Sequence, residues 1–400
     1  MAVVVLVAGS LVAGALVVAW TVTGSSSNCT VNPVSNREVA ELASFTSWLN
    51  ENNVKGYVGE VGWPGGADST GWNGIADDWY QAADRAGLWV SAWAAGSWWP
   101  DTYPMVVYRE GEGEGDGAIG SNGTQAEVVE AHARVGNALR GVDIASGAFG
   151  TAEDGNSSYS NVDPGTYGAD YSYEDLAGYQ YLASRRVAMV RISFTWERLQ
   201  PELGKPLDPA AVAQLKKTVA DASAAGLGVV LDLHNYGGYW LGDGRRTPER
   251  VALGSRELPV AALASFWQQL VVAFRGQAGV LGYGLMNEPG RLAASPKEGA
   301  KVWEAASQDV VDAVRAVGDR HTVFVAGYGS SSPNQWQQLH PRAWIVDPAR
   351  AVRYEAHQYF DADGSGRYRT PLGAEQAAAL AARPASTLCT DNHPGGSWSG

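Results

Sequence analysis

The sequence predicts a single (β/α)8 barrel, and three observations carry the prediction. Short apolar strands alternate with helices along most of the chain, eight such strands can be counted, and chemically active polar side chains recur where the strands end. Strands this short and this apolar suit a parallel sheet covered by helices on its outer face. One domain over residues 37–400 accounts for all of them, and no second domain is needed.

The elements follow in chain order. Residues 38–49 place Val39, Leu42, Phe45 and Leu49 at helical spacing, and a short strand follows at 56–61. A helix near 74–86 stops at Gly87 and feeds a strand at 88–93. Residues 110–124 read as a linker, because the run from Glu110 to Gly117 alternates acid and glycine and is too polar to pack. A short helix at 125–134 follows it. Six further strands are predicted at 139–145, 187–193, 228–233, 280–286, 322–326 and 352–357. Helices fall between them at 173–184, 209–225, 259–275, 301–317 and 332–339, with a last one at 373–382.

Before the barrel, no Asp, Glu, Lys or Arg occurs ahead of Arg37, and residues 2–23 are an almost unbroken apolar run. That run is long enough to span a bilayer, so residues 1–24 are expected to act as a signal peptide or a membrane anchor, followed by a polar linker at 25–36. Export to the extracellular side follows from either. Asn-x-Ser/Thr sequons begin at Asn28, Asn122 and Asn156 and matter only in a host that glycosylates.

Composition narrows the function. A net charge of −13 argues against a nucleic-acid partner, which needs a basic face for phosphates. The 16 Trp and 17 Tyr against 7 Phe favour binding surfaces over plain core filling, because Trp and Tyr carry a polar edge. Two cysteines, Cys29 and Cys389, exclude a disulfide scaffold, a zinc ribbon or an iron–sulfur protein. No glycine-rich nucleotide fingerprint follows the first strand of the parallel series.

In a (β/α)8 barrel, catalytic groups sit at the C-terminal ends of strands. There the sequence places Glu60, Trp93, Arg191, His234 with Asn235, Asn287 with Glu288 and Pro289, and His357 with Tyr359. Each has a plainer reading. Glu288 could cap the next helix, Glu60 could be a strand-end ion pair, and Arg191, His234 and His357 could be structural hydrogen-bonding groups. Their recurrence at the strand ends of one barrel favours a common site.

Together, Arg191 with Phe194-x-Trp196, His234-Asn235, Asn287-Glu288-Pro289, His357-x-Tyr359, Gly59-Glu60 and Trp93 resemble glycoside hydrolase family 5, the cellulase family of clan A. The loop from Asp361 to Gly366 adds to the likeness, which covers residues 37–372. It implies a retaining endo-acting β-1,4-glucanase, with Glu288 as acid/base and Glu60 as nucleophile. Arg191 would keep Glu60 ionised, Asn287 would meet the sugar 2-hydroxyl, Tyr359 would orient Glu60, and His234 and His357 would line the subsite. Trp93 would be the sugar platform, with Asn235, Trp63, Trp72, Trp98, Trp99, Trp196 and Trp240 as further substrate-binding candidates. Another β-glycan specificity (mannan, xyloglucan or an exo-acting glucosidase) runs on the same machinery, and a non-catalytic glycan-binding relative is the reading from outside the enzyme class.

In the family, the strand with the nucleophile and the one with the Trp come seventh and eighth; here they come first. The resemblance therefore implies a circular permutation, with strands 7 and 8 in residues 37–109 and strands 1 to 6 in 125–400, joined by the acidic linker. The cut would bring Cys29 and Cys389 to one end of the barrel, where a disulfide could rejoin the ends. A monomer is expected, with no cofactor. No metal is expected either, since Asp361-x-Asp363-x-Ser365 begins like a calcium loop but has Leu372 at its twelfth position.

Overall fold

The computed structural model describes residues 32–96, 98–100, 102–111, 118–149 and 159–382. The apolar run at 2–23, Cys29, Cys389 and their expected disulfide lie outside the described residues, as do 112–117 of the linker and the sequons at Asn28 and Asn156.

The first elements are α1 (Pro33–Glu51), β1 (Lys55–Gly62), α2 (Ser69–Arg85), β2 (Trp89–Ala95), β3 (Tyr108–Glu110), β4 (Ile119–Asn122) and α3 (Ala126–Ala131). Next come β5 (Arg140–Gly147), α4 (Leu176–Ser184), β6 (Met189–Phe194), α5 (Trp196–Leu199), α6 (Pro209–Ala224), β7 (Gly228–Leu233), β8 (Gly238–Leu241) and β9 (Glu249–Ala252). The series ends with α7 (Val260–Ala273), β10 (Val280–Gly284), α8 (Pro296–Ala316), β11 (Thr322–Ala326), α9 (Trp336–Leu339), β12 (Val352–Tyr359) and α10 (Leu372–Ala381).

Eight of the strands close a parallel ring in the order β1, β2, β5, β6, β7, β10, β11, β12 and back to β1. Chain order and ring order coincide, as right-handed β-helix-β crossovers require. The expected barrel is present. Its helices start where the local chemistry allows. Asn32, Asp208 and Ser295 each accept a backbone N–H of the first turn of α1, α6 and α8, and each is followed by proline, whose missing N–H costs nothing there. This capping explains why α1 and α8 begin five residues earlier than apolar periodicity indicates.

Three elements escaped the sequence reading. The short helix α5 is one turn long, and the β8–β9 hairpin stands outside the barrel. The third is the antiparallel pair β3–β4, which brackets the acidic linker, so residues 119–122 pair as a strand rather than stay a free tether. Among the described residues no helix is long and apolar enough to cross a membrane.

Inside the ring, Tyr57, Met189, Val230 and Phe324 make a fully buried apolar floor from strands β1, β6, β7 and β11. Toward the C-terminal ends of the strands the interior changes to charge: Arg191, Asp143, Asp232 and Glu355 are all buried there. A buried charged layer persists only if its members pair, and the pairing builds the site.

Candidate active site

Arg191 of β6 is the hub. Its guanidinium lies 3.0 Å from Glu60, 2.8 Å from Asp143, 3.0 Å from Asp232 and 3.1 Å from Glu355, and it donates to Asn287 Oδ1 at 2.6 Å. Burial opposes the charge on Arg191, but the surrounding carboxylates outweigh it and hold the guanidinium protonated. Two glycines make room for this layer. A Cβ on Gly59 would run into the Glu355 carboxylate, and one on Gly284 would come within 2.9 Å of Asp232 Oδ1.

Both histidines are backed by a carboxylate two residues earlier on the same strand. His234 Nδ1 is 2.8 Å from Asp232, and His357 Nε2 is 3.2 Å from Glu355. Sequence reasoning passed over Asp143, Asp232 and Glu355. The signal was available, because residues i and i+2 of a strand share a face, so Asp232-x-His234 and Glu355-x-His357 each point two titratable groups into the barrel. Asp143 faces Arg191 directly across the β5–β6 register. Its burial raises its carboxyl well above the ordinary value despite Arg191.

Glu60 of β1 and Glu288 after β10 reach the same point, with His357 between them. One oxygen of each carboxylate and one nitrogen of His357 lie within 4.8 Å of one another. His357 Nδ1 is 3.0 Å from Glu288 Oε1 and 3.6 Å from Glu60 Oε2, and the Tyr359 hydroxyl donates to Glu60 Oε2 at 2.6 Å. Glu288 sits at φ 39°, a strained backbone for a residue with a Cβ. Its neighbours hold it there: Asn287 N donates to Leu233 O at 2.8 Å and Gly329 N to Pro289 O at 2.8 Å.

The two carboxyls are driven apart in acidity. Burial alone would raise Glu60, but His357, Arg191 and His234, together with the Tyr359 hydroxyl, bring it down to about 2. Glu288 is raised by burial and by the Glu60 charge, against the opposing effect of His357. His357 is pushed well above the usual imidazole range, since Glu60, Glu288 and Glu355 outweigh its burial. Two neighbouring carboxyls whose acidities are pushed in opposite directions are the arrangement acid–base and nucleophilic chemistry asks for.

Trp93 stands beside this pair, 7% exposed, its ring nearly parallel to His234 at 5.8 Å and its Nε1 donating to Tyr103 at 2.8 Å. The Trp93–Ala94 peptide is cis. Trp99 stacks on Tyr103 at 4.1 Å and, with Phe149, extends the aromatic wall, and Trp98 is half-buried in the turn beside it. Trp240 on β8 is 40% exposed and lines a cleft that opens past Glu288.

Three other tryptophans correct the sequence reading. Trp63 is buried against Phe360 and donates to Asn73, Trp196 is buried among Phe266 and Tyr239 and donates to Gln200, and Trp72 packs edge-on against Tyr368. Their ring N–H groups or faces are taken by the core, which is why a position just past a strand end did not make them platforms. Asn235 lines the cleft, yet its amide donates to Glu197 and accepts from Trp196 N, so it braces the loop rather than offering free donors.

Glu60, Glu288 and His357 are also the donor types a metal would use. The neighbouring carboxylates that push His357 above the usual imidazole range favour a proton on it, and that proton competes with a metal. The Asp361 carboxylate accepts from Gly366 N, Arg367 N and Ser365 Oγ, closing its own turn.

The sequence model of the cellulase family, glycosyl hydrolase family 5, matches residues 150–393. The chain belongs to that family. Similar members include an endoglucanase of Neurospora crassa, 27% identical over 221 residues (54% of this chain, 52% of the relative), and endo-beta-1,4-glucanase A of Emericella nidulans, 29% identical over 218 residues (54% and 60%). This chain thus spans about half to three-fifths of the length of these relatives. Among solved structures, the Pseudomonas stutzeri endoglucanase Cel5A is 34% identical, with a TM-score of 0.50 over 60% of this chain and 70% of that one. The span matched to the cellulase family carries Arg191, His234, Asn287, Glu288, His357 and Tyr359, while Glu60 and Trp93 precede it.

Proposed function

We propose that the chain is a retaining, endo-acting β-1,4-glucan hydrolase that uses Glu60 and Glu288 in a double displacement. The observation that carries this reading is the convergence of the two carboxyls within 4.8 Å at the C-terminal mouth of the barrel. Retaining pairs lie about 5–5.5 Å apart, whereas inverting pairs leave about 6.5–9.5 Å for a water between them. Family membership and the endoglucanases among its relatives support the substrate class.

In the first step protonated Glu288 gives its proton to the glycosidic oxygen while Glu60 attacks the anomeric carbon, forming a glycosyl ester and releasing the leaving sugar. Ester formation removes the Glu60 charge and, with it, one of the two effects that raise Glu288. Glu288 then becomes the ionised base the second step needs. It takes a proton from water, the water oxygen attacks the anomeric carbon, and Glu60 leaves as a carboxylate. Arg191 and Tyr359 stabilise that leaving carboxylate through charge-assisted bonds, and Asn287, its Oδ1 held by Arg191 and its Nδ2 3.2 Å from His234 Nε2, keeps one N–H for the sugar 2-hydroxyl.

The reading includes a circular permutation. In its support, the family match begins at residue 150 and leaves β1 and β2, with Glu60 and Trp93, in front of it. The ends of the described barrel also meet: Arg37 in α1 lies 3.7 Å from Glu375 in α10. The apolar run at 2–23 supports export or anchoring at the cell surface. The test is reducing-sugar release and viscosity loss on a panel of β-glucans, with Glu60→Gln and Glu288→Gln beside the parent chain. Rapid viscosity loss on β-1,4-glucan, abolished in Glu60→Gln and cut by about 10²–10⁴-fold in Glu288→Gln, is the expected result; full activity in either variant contradicts the assignment.

A further inference from the structure

The cleft beyond Glu288 has a volume of about 830 Å³, and of the two catalytic carboxyls it is Glu288 that lines it. The general acid protonates the leaving group, so this cleft receives the leaving-group side of a bound chain. Tyr236 and Trp240, 43% and 40% exposed, line it, and such rings suit the flat C–H faces of sugars.

Two arginines share the cleft. Arg250 lies directly across the β8–β9 register from Trp240, and its guanidinium donates to the Tyr236 carbonyl, which leaves further N–H groups unspent. Arg291 stands exposed on the turn after Glu288, at φ 58°. Among the described residues, no carboxylate oxygen comes within 4.0 Å of either guanidinium, unlike Arg191, Arg140 or Arg315. The one other carboxylate lining the cleft, Glu197, is spent on Asn235, the Trp240 N–H and Tyr159. Burial lowers Arg250 first and the charge of Arg291 adds to it, against a smaller opposing pull from Glu197 across the cleft. In a chain of net charge −13, leaving two neighbouring arginines with no carboxylate in direct contact in this cleft is a cost that a bound anion would remove.

We propose that Arg250 and Arg291 form a leaving-group-side subsite for a carboxylate-bearing sugar, so that the preferred substrate is a β-glucan chain carrying uronic acid or carboxyalkyl groups. The inference rests on the glycosidase reading above. A planar guanidinium matches a carboxylate with two parallel N–H···O bonds, while Tyr236 and Trp240 carry the sugar ring.

The test compares cellotetraose with the same oligosaccharide oxidised at C6 to glucuronic acid, in hydrolysis and in calorimetric binding, at low and high salt. The parent chain should favour the oxidised form in both readouts, with the preference shrinking as salt rises. Arg291→Asn, which suits the left-handed backbone, and Arg250→Gln should each cut the ratio of the oxidised to the neutral kcat/KM by about tenfold, and Arg250→Lys should recover part of it. Equal ratios in parent and variants would overturn the subsite while leaving the glycosidase reading intact. If neither oligosaccharide is cleaved, the glycosidase reading falls and binding decides the subsite: tighter binding of the oxidised form that Arg291→Asn loses supports it, and equal binding refutes it. A carboxymethylated cellotetraose distinguishes the two carboxylate sources.

Discussion

Arg191 helps to set Glu60 apart from Glu288. It is buried, it touches four carboxylates, and it is one of the charges that bring Glu60 down to about 2. A carboxylate depressed in the folded state contributes stability that is full above its unfolded value, near 4.3, and is lost as pH falls through about 2. If Glu60 and Glu288 act as proposed, the same depression should set the acid limb of activity low, and raised Glu288 should set the alkaline limb above the ordinary carboxyl value. Arg191→Gln should therefore move the acid limb of kcat/KM to higher pH; an unchanged limb would mean that Arg191 does not control Glu60. It should also destabilise the fold by about 3–5 kcal/mol, because Asp143, Asp232 and Glu355 lose their shared cation, and a denaturant titration measures that cost. Glu288→Gln should lower kcat/KM on glucan by about 10²–10⁴-fold and spare an aryl glycoside whose leaving group needs no proton. At this scale the sequence was partly legible. Strand-end positions exposed Glu60, Arg191, His234, Glu288 and His357, but the carboxylates behind them sit one layer deeper, where a polar residue in a strand reads as neither surface nor site.

The elements place these residues by simple means. Alternation along β7 and β12 aims Asp232 with His234, and Glu355 with His357, into one interior. Glycine on the neighbouring strand admits each carboxylate, so Gly59→Ala should displace Glu355 and loosen His357; the resonances of the His357 imidazole by NMR would report it, and unchanged shifts would contradict the role given to Gly59. Caps govern where helices begin: Ser295 accepts Glu298 N at the start of α8, and Ser295→Ala should cost about 1 kcal/mol in a denaturant titration. All eight barrel strands were legible because each is short, apolar and bounded by turn residues. The β8–β9 hairpin was not, because its strands are four residues each and bury Gly238 with Tyr239 while exposing Trp240 with Leu241, which leaves no alternation to read. Trp63, Trp72 and Trp196 were misread for a related reason: composition counts tryptophans but does not say which ring faces the cleft.

At the scale of the molecule, a closed ring has no privileged starting strand, so the order of strands can shift while the mouth of the barrel keeps its groups. The contact between α1 and α10 makes this testable. A rearranged chain running from residue 118 to 382, then through a short Gly/Ser linker to 32–111, should fold and keep its activity on glucan; an insoluble or inactive product would argue against permutation. The two halves each supply one of the proposed carboxyls, Glu60 from the first and Glu288 from the second, so the proposed chemistry depends on ring closure between β1 and β12. The most direct test of the account is to trap the glycosyl-enzyme with a 2-deoxy-2-fluoro-cellobioside bearing an activated leaving group, and to map the labelled peptide by mass spectrometry. The account predicts a single label on Glu60, absent in Glu60→Gln; a label on another residue, or release of the inverted anomer with no label at all, would contradict it.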